Sequence, residues 1–100
     1  MVKHVILWQL KDELTCDEKI TVKKNAKNAL EALKGKIDGL VDIKVNIVPL
    51  PTSNADMMLD STFVSQEALS KYQVHLEHKE AADKFVRPFS KARFCLDFEV

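Results

Sequence analysis

The stretch Tyr72-Gln73-Val74-His75-Leu76-Glu77-His78 holds the only tyrosine of the chain and two of its three histidines. The third, His4, sits in the first hydrophobic run, so most of the side chains able to exchange a proton near neutral pH fall in two places. If the fold sets the end of this stretch against the first strand, His4, Tyr72 and His78 share one pocket. On one unbroken helix, Tyr72 and His78 differ by about 240° of rotation and point about 120° apart. They converge only where the helix breaks, between Leu76 and Lys79.

Each of these residues also has an ordinary structural role. A histidine in an apolar strand is commonly a hydrogen-bonded core or interface residue, and a tyrosine on an inward helical stripe is a core aromatic whose hydroxyl finds a partner. His75 and His78 have the helical spacing of a metal pair, but no cysteine or carboxylate pattern completes a site. No metal and no cofactor is expected. Trp8, Met57, Met58, Phe85 and Phe89 read first as packing. A cavity between sheet and helices lined by Trp8, Met57, Phe85 and Phe89, with His75 nearby, would suit an apolar ring compound.

The 100 residues predict one domain spanning 1–100, with 46% hydrophobic and 30% charged residues, a globular composition. A formal net charge of zero offers no basic footprint, so nucleic acid is not an expected partner. The early apolar run, Val5-Ile6-Leu7-Trp8, is far short of the ~20 residues that span a bilayer, and no signal core is present. The expected location is cytoplasmic, where Cys16 and Cys95 are bystander thiols rather than a bridge.

The elements that must position the pocket follow from periodicity. Residues 2 to 10 read as a strand with Val2, His4, Ile6, Trp8 and Leu10 on one face and Lys3, Val5, Leu7 and Gln9 on the other. Thr15-Cys16-Asp17-Glu18 has the capping-box form, and Val22, Ala26, Ala29, Leu30, Leu33 and Ile37 give a helical stripe ended by Gly35 and Gly39. Lys19, Lys23, Lys24 and Lys27 read as its solvated face. Residues 40 to 48 alternate with Val41, Ile43, Val45 and Ile47 on one face, and 55 to 63 make a third strand in an antiparallel hairpin with it. Ser65 caps a second helix with Ala68, Leu69, Tyr72, His75 and Leu76 inward, and a further helical piece runs from about 78 to 86. Arg87-Pro88 stops it, and Ala92, Phe94, Leu96, Phe98 and Val100 alternate along a last strand.

Strand, helix, strand, strand, helix, strand is the ferredoxin-like βαββαβ order, an α+β fold with a four-stranded antiparallel sheet and helices on one face. The first strand is apolar on both faces, and a monomer would leave one of them wet. Two such sheets are therefore expected to pack face to face as a two-fold homodimer.

The opening Val-Lys-His-Val-Ile-Leu-Trp-Gln-Leu-Lys, the strand from Asp56 to Phe63 followed by Ser65, and Tyr-x-x-His-x-x-His at 72 to 78 together resemble the stress-responsive A/B barrel, or dimeric α/β barrel, family. The resemblance covers essentially the whole chain and implies a homodimer whose two sheets close one barrel. Most members have no assigned reaction; a plant polyketide cyclase of the family closes its substrate by aldol condensation without cofactor or metal. By that resemblance His78 is the base, Tyr72 the donor that holds the developing oxyanion, and His4 an orienting or polarising group. Met57 stands where that enzyme has a further histidine, and Leu76 where the family often has proline. Two functions are carried forward. One is a homodimer binding a small apolar or aromatic ligand without chemistry of its own. The other is a cofactor-free cyclase, lyase or monooxygenase-like enzyme.

Overall fold

The apolar run at residues 2 to 10 and the hydroxyl and carboxylate at Thr15 and Glu18 define the first strand and the start of the first helix. The structure is a computed structural model describing residues 1–100. It has β1 (Val2–Leu10), α1 (Cys16–Glu31), β2 (Leu40–Asn46), β3 (Met57–Phe63), α2 (Gln66–Val74), α3 (Leu76–Phe85), a 3-10 turn (Arg87–Phe89) and β4 (Ser90–Glu99). The sheet runs β2-β3-β1-β4 with every neighbouring pair antiparallel, which is the ferredoxin-like plan. The capping box forms as expected: Thr15 Oγ1 accepts from the Glu18 N–H while the Glu18 carboxylate accepts from the Thr15 N–H.

Residues opposite one another in an antiparallel ladder share a face. Val2, His4, Ile6, Trp8 and Leu10 are buried and pack with Met57, Leu59 and Phe63 of β3 against the helical stripe of Val22, Ala26 and Leu30. In the same register His4 lies opposite Asp97, Ile6 opposite Cys95 and Trp8 opposite Arg93. The polar row of β4 therefore points to the helix side. Its apolar row shares the open face with Val5 and Leu7, where Leu7, Phe94, Leu96 and Phe98 are 39, 62, 65 and 41% exposed.

Three local expectations are corrected. In β2 the register shifts between Leu40 and Asp42, so Leu40 is buried and Val41 is turned out; a bulge moves one residue out of phase with simple alternation. Helix α1 stops at Glu31, and Leu33 and Ile37 reach the core from the turns that follow rather than from the helix. Gly39, at φ +83°, makes the close approach there: a Cβ would stand 2.5 Å from the Ala68 Cβ. Finally, His75 and Leu76 do not continue the inward stripe of α2, because the helix ends before them; Leu76 is exposed.

Candidate functional site

The break that the site requires falls at His75, one residue before the expected segment. Its backbone is extended, φ −67° and ψ 134°, so it ends α2 and starts α3. The His75 ring serves that junction: Nδ1 accepts a hydrogen bond from the Glu77 N–H at 3.2 Å. A side chain thus supplies the N-cap of α3. The change of direction brings His78 back over Tyr72, with ring centroids 4.1 Å apart and planes tilted by 36°. His4 meets Tyr72 edge-on at 6.1 Å, and Phe63 packs on it at 4.9 Å. His4, Tyr72 and His78 are therefore one cluster under the helix junction.

Two polar atoms in this cluster are buried without a partner, the Tyr72 hydroxyl and His78 Nδ1. Buried polar groups are ordinarily hydrogen-bonded, and leaving one unpaired costs about 1–3 kcal/mol. Tyr72 and His78 line a shared cavity of about 50 Å³ with Ile6, Trp8, Leu59 and Arg93 among its other walls. Burial raises the Tyr72 pKa well above that of free tyrosine, outweighing the opposing Arg93 charge, so the hydroxyl remains a proton donor across the physiological range. Burial also lowers the His78 pKa from its usual 6.5, and the Arg87, His4 and Arg93 charges act in the same sense against a Gln73 backbone hydrogen bond. His78 is thus neutral near pH 7, and in the tautomer with its hydrogen on Nε2 the unpartnered Nδ1 can take a proton.

Behind this pair, His4 is held from the sheet. Its Nδ1 makes a short hydrogen bond to Asp97 Oδ1, and because a carboxylate only accepts, the hydrogen sits on Nδ1. Ser61, opposite His4 in the ladder, donates its hydroxyl to the His4 carbonyl at 2.7 Å.

The other candidates divide. Trp8 lines the cavity. Met57 is buried opposite Trp8 in the ladder, as part of the core. His75 is taken up by its cap, Phe85 is half-buried with the Lys84 ammonium 5.3 Å from its ring centroid, and Phe89 lines a groove with Leu14 and Val22 at the start of α1. None of these last three lines the cavity between Tyr72 and His78. Sequence reading missed Arg93, Cys95 and Asp97. Their signal was present, since β4 alternates apolar with polar residues, but which row faced the helices depended on the register with β1. No helix is long and apolar enough to cross a membrane.

Comparison with known proteins agrees with this architecture. A dimeric ferredoxin-like protein of unknown function from Bacteroides fragilis is 32% identical, superposes with a TM-score of 0.92, and is matched over 99% of this chain and 95% of its own. A Dabb family protein from Mesorhizobium loti shares the fold at 18% identity and TM-score 0.74, over 99% of this chain and 95% of its own. The hydroxynitrile lyase of Passiflora edulis shares it at 17% identity and TM-score 0.71, over 97% of this chain and 90% of its own. No curated protein matches the sequence. The family model described as Stress responsive A/B Barrel Domain matches residues 2–100, and with the fold and the His4, Tyr72 and His78 cluster in view, the chain belongs to the stress-responsive A/B barrel domain family.

Proposed function

We propose that this protein is a homodimeric, cofactor-independent acid–base enzyme acting on a small carbonyl compound, a lyase or cyclase in type. The observation that carries the reading is the pairing of a proton donor and a proton acceptor, both buried and both without partners, on one cavity. His78 Nδ1 removes a proton beside the substrate carbonyl; the Tyr72 hydroxyl donates a hydrogen bond to the oxyanion that develops. Asp97 holds His4 in a fixed orientation against Tyr72, and the guanidinium of Arg93 at the cavity wall favours developing negative charge. The Passiflora protein of the same fold is a lyase, which is compatible with this chemistry.

The homodimer rests on the open face. Burying Leu7, Phe94, Leu96 and Phe98 against a second copy contributes, for each side chain, roughly half of the 1.5–3 kcal/mol that complete burial of an exposed one gives, because each is already part-buried within the subunit. The Bacteroides relative is dimeric.

A second reading, a binding protein without chemistry, is favoured by Met57, whose thioether cannot transfer a proton; the cavity, far below the ~300 Å³ of an ordinary ligand pocket, restricts the occupant to a few heavy atoms on either reading. Proton exchange separates the two. A panel of small aldehydes and ketones in deuterated buffer, followed by nuclear magnetic resonance, should show protein-catalysed loss of the hydrogen next to the carbonyl. In His78→Gln the rate should fall by about 10²-fold or more. Equal exchange by wild type and His78→Gln would overturn the acid–base reading, as would binding of panel compounds with no exchange.

A further inference from the structure

We infer that Cys95, His4 and Asp97 form a binding site for a zinc-class divalent cation at the β1–β4 edge of the sheet. Cys95 and Asp97 are two apart on β4 and so project from the same face, and the ladder sets Asp97 directly opposite His4. One donor atom from each of the three residues lies within 4.8 Å of the others. Cys95 Sγ is 3.7 Å from His4 Nδ1 and 3.4 Å from Asp97 Oδ1. Donor atoms around a tetrahedral zinc stand roughly 3.3 to 3.6 Å apart, given Zn–S of about 2.3 Å and Zn–N or Zn–O of about 2.0 Å. The sulfur-to-carboxylate distance lies within that range and the sulfur-to-imidazole distance just above it. Only the short contact between His4 and Asp97 has to open to admit the ion.

The ligand chemistry also suits a borderline-soft cation: one thiolate, one imidazole and one carboxylate, a set that selects zinc or cobalt over magnesium or calcium. Three protein ligands leave a fourth position for water or a small anion. Two features make the site built rather than incidental. His4 is 1% exposed, and its ring is packed edge-on against both Phe63 and Tyr72, so its Nδ1 is held towards β4. Cys95 and Asp97 are exposed on the helix side of the sheet, away from the apolar face offered to a partner, and a cleft of about 260 Å³ between α2 and β4 opens beside Asp97. Binding displaces the Cys95 thiol proton and the hydrogen on His4 Nδ1, because both donor atoms must present a lone pair to the ion. Cys95 has no part in the acid–base reading, whereas His4 and Asp97 are shared with it: an ion replaces the hydrogen bond between them and holds His4 through its own bond. Thiol protection at Cys95 reports the ion whether or not the protein has acid–base activity.

The full chain is titrated with Co²⁺ and its absorption recorded. One equivalent per chain should produce a thiolate-to-cobalt charge-transfer band in the near ultraviolet, displaced by Zn²⁺. Cys95→Ser, at an exposed position, should lose the band, and Asp97→Asn should weaken binding by about tenfold or more. In the wild-type chain, Zn²⁺ should slow alkylation of Cys95 while leaving the exposed Cys16 as reactive as before. Cobalt binding without a sulfur band, binding that survives Cys95→Ser, or equal zinc protection of both thiols would overturn the site. The alkylation measurement needs no variant, so it decides the matter even if a substitution disturbs folding.

Discussion

The two faces of the sheet break the usual rules of burial in opposite directions. On the open face, the apolar side chains of β4 and β1 stand in water, with Phe94 and Leu96 more than half exposed. On the helix face, polar atoms of Tyr72 and His78 are dry and unpaired. A wet apolar patch is relieved by association, because burial of carbon surface is favourable and needs no direction. A dry donor and a dry acceptor on one small cavity are relieved by any polar molecule that fits, an ordered water included. The first imbalance therefore points to a second copy of the chain, the second to a small polar occupant, which the proposed function takes to be a substrate.

That contrast can be broken most forcefully at His78. His78→Ala should lower turnover of a substrate found by the exchange screen by about 10²–10⁴-fold, with a melting temperature close to that of the wild type. Loss of turnover and folding together would make the histidine structural. On the other face, Leu96→Asp places one charge on each side of a two-fold contact. The dimer should weaken by about 10²-fold or more, read as a monomer by light scattering at micromolar concentration, with the chain still folded. An unchanged dimer would mean that the subunits meet elsewhere.

Tyr72→Phe sharpens the comparison, because it removes an unpaired hydroxyl while keeping the ring. It should cut turnover by about 10²-fold and at the same time raise stability by roughly 1 kcal/mol, a gain of a few degrees in melting temperature. A fall in stability would show that the hydroxyl has a partner after all. The smallest effect concerns acidity. Burial lowers the His78 pKa, so the folded chain binds fewer protons there than the unfolded chain at mildly acidic pH. This group's contribution to stability is therefore complete above pH 6.5 and declines as the pH falls towards the folded value. The acid limb of kcat/KM should correspondingly have its midpoint below 6.5, and His78→Gln should flatten both profiles.

Most of the fold could be read from local pattern. Thr15 and Glu18 placed the start of α1, Ser65 that of α2, and alternation in residues 2 to 10 assigned both faces of β1. The bulge at Val41 escaped, because an extra residue in a ladder has no signature of its own beside Leu40 and Ile43. So did the cap at His75. A histidine that ends one helix and begins the next looks, in a string of residues, like a further turn of the first.

The chain's own order of residues determined which groups are available for chemistry, one tyrosine and three histidines, and the period of each element that carries them. Only the tertiary structure decided which of them meet. The turn at His75 rotated His78 onto Tyr72, and the pairing register of β4 with β1 placed Asp97 and Cys95, rather than Phe94 or Leu96, beside His4. The physical reason is that periodicity divides a strand or helix into faces but does not say which face is turned inward. Long-range packing makes that choice, and a shift of one residue reverses it.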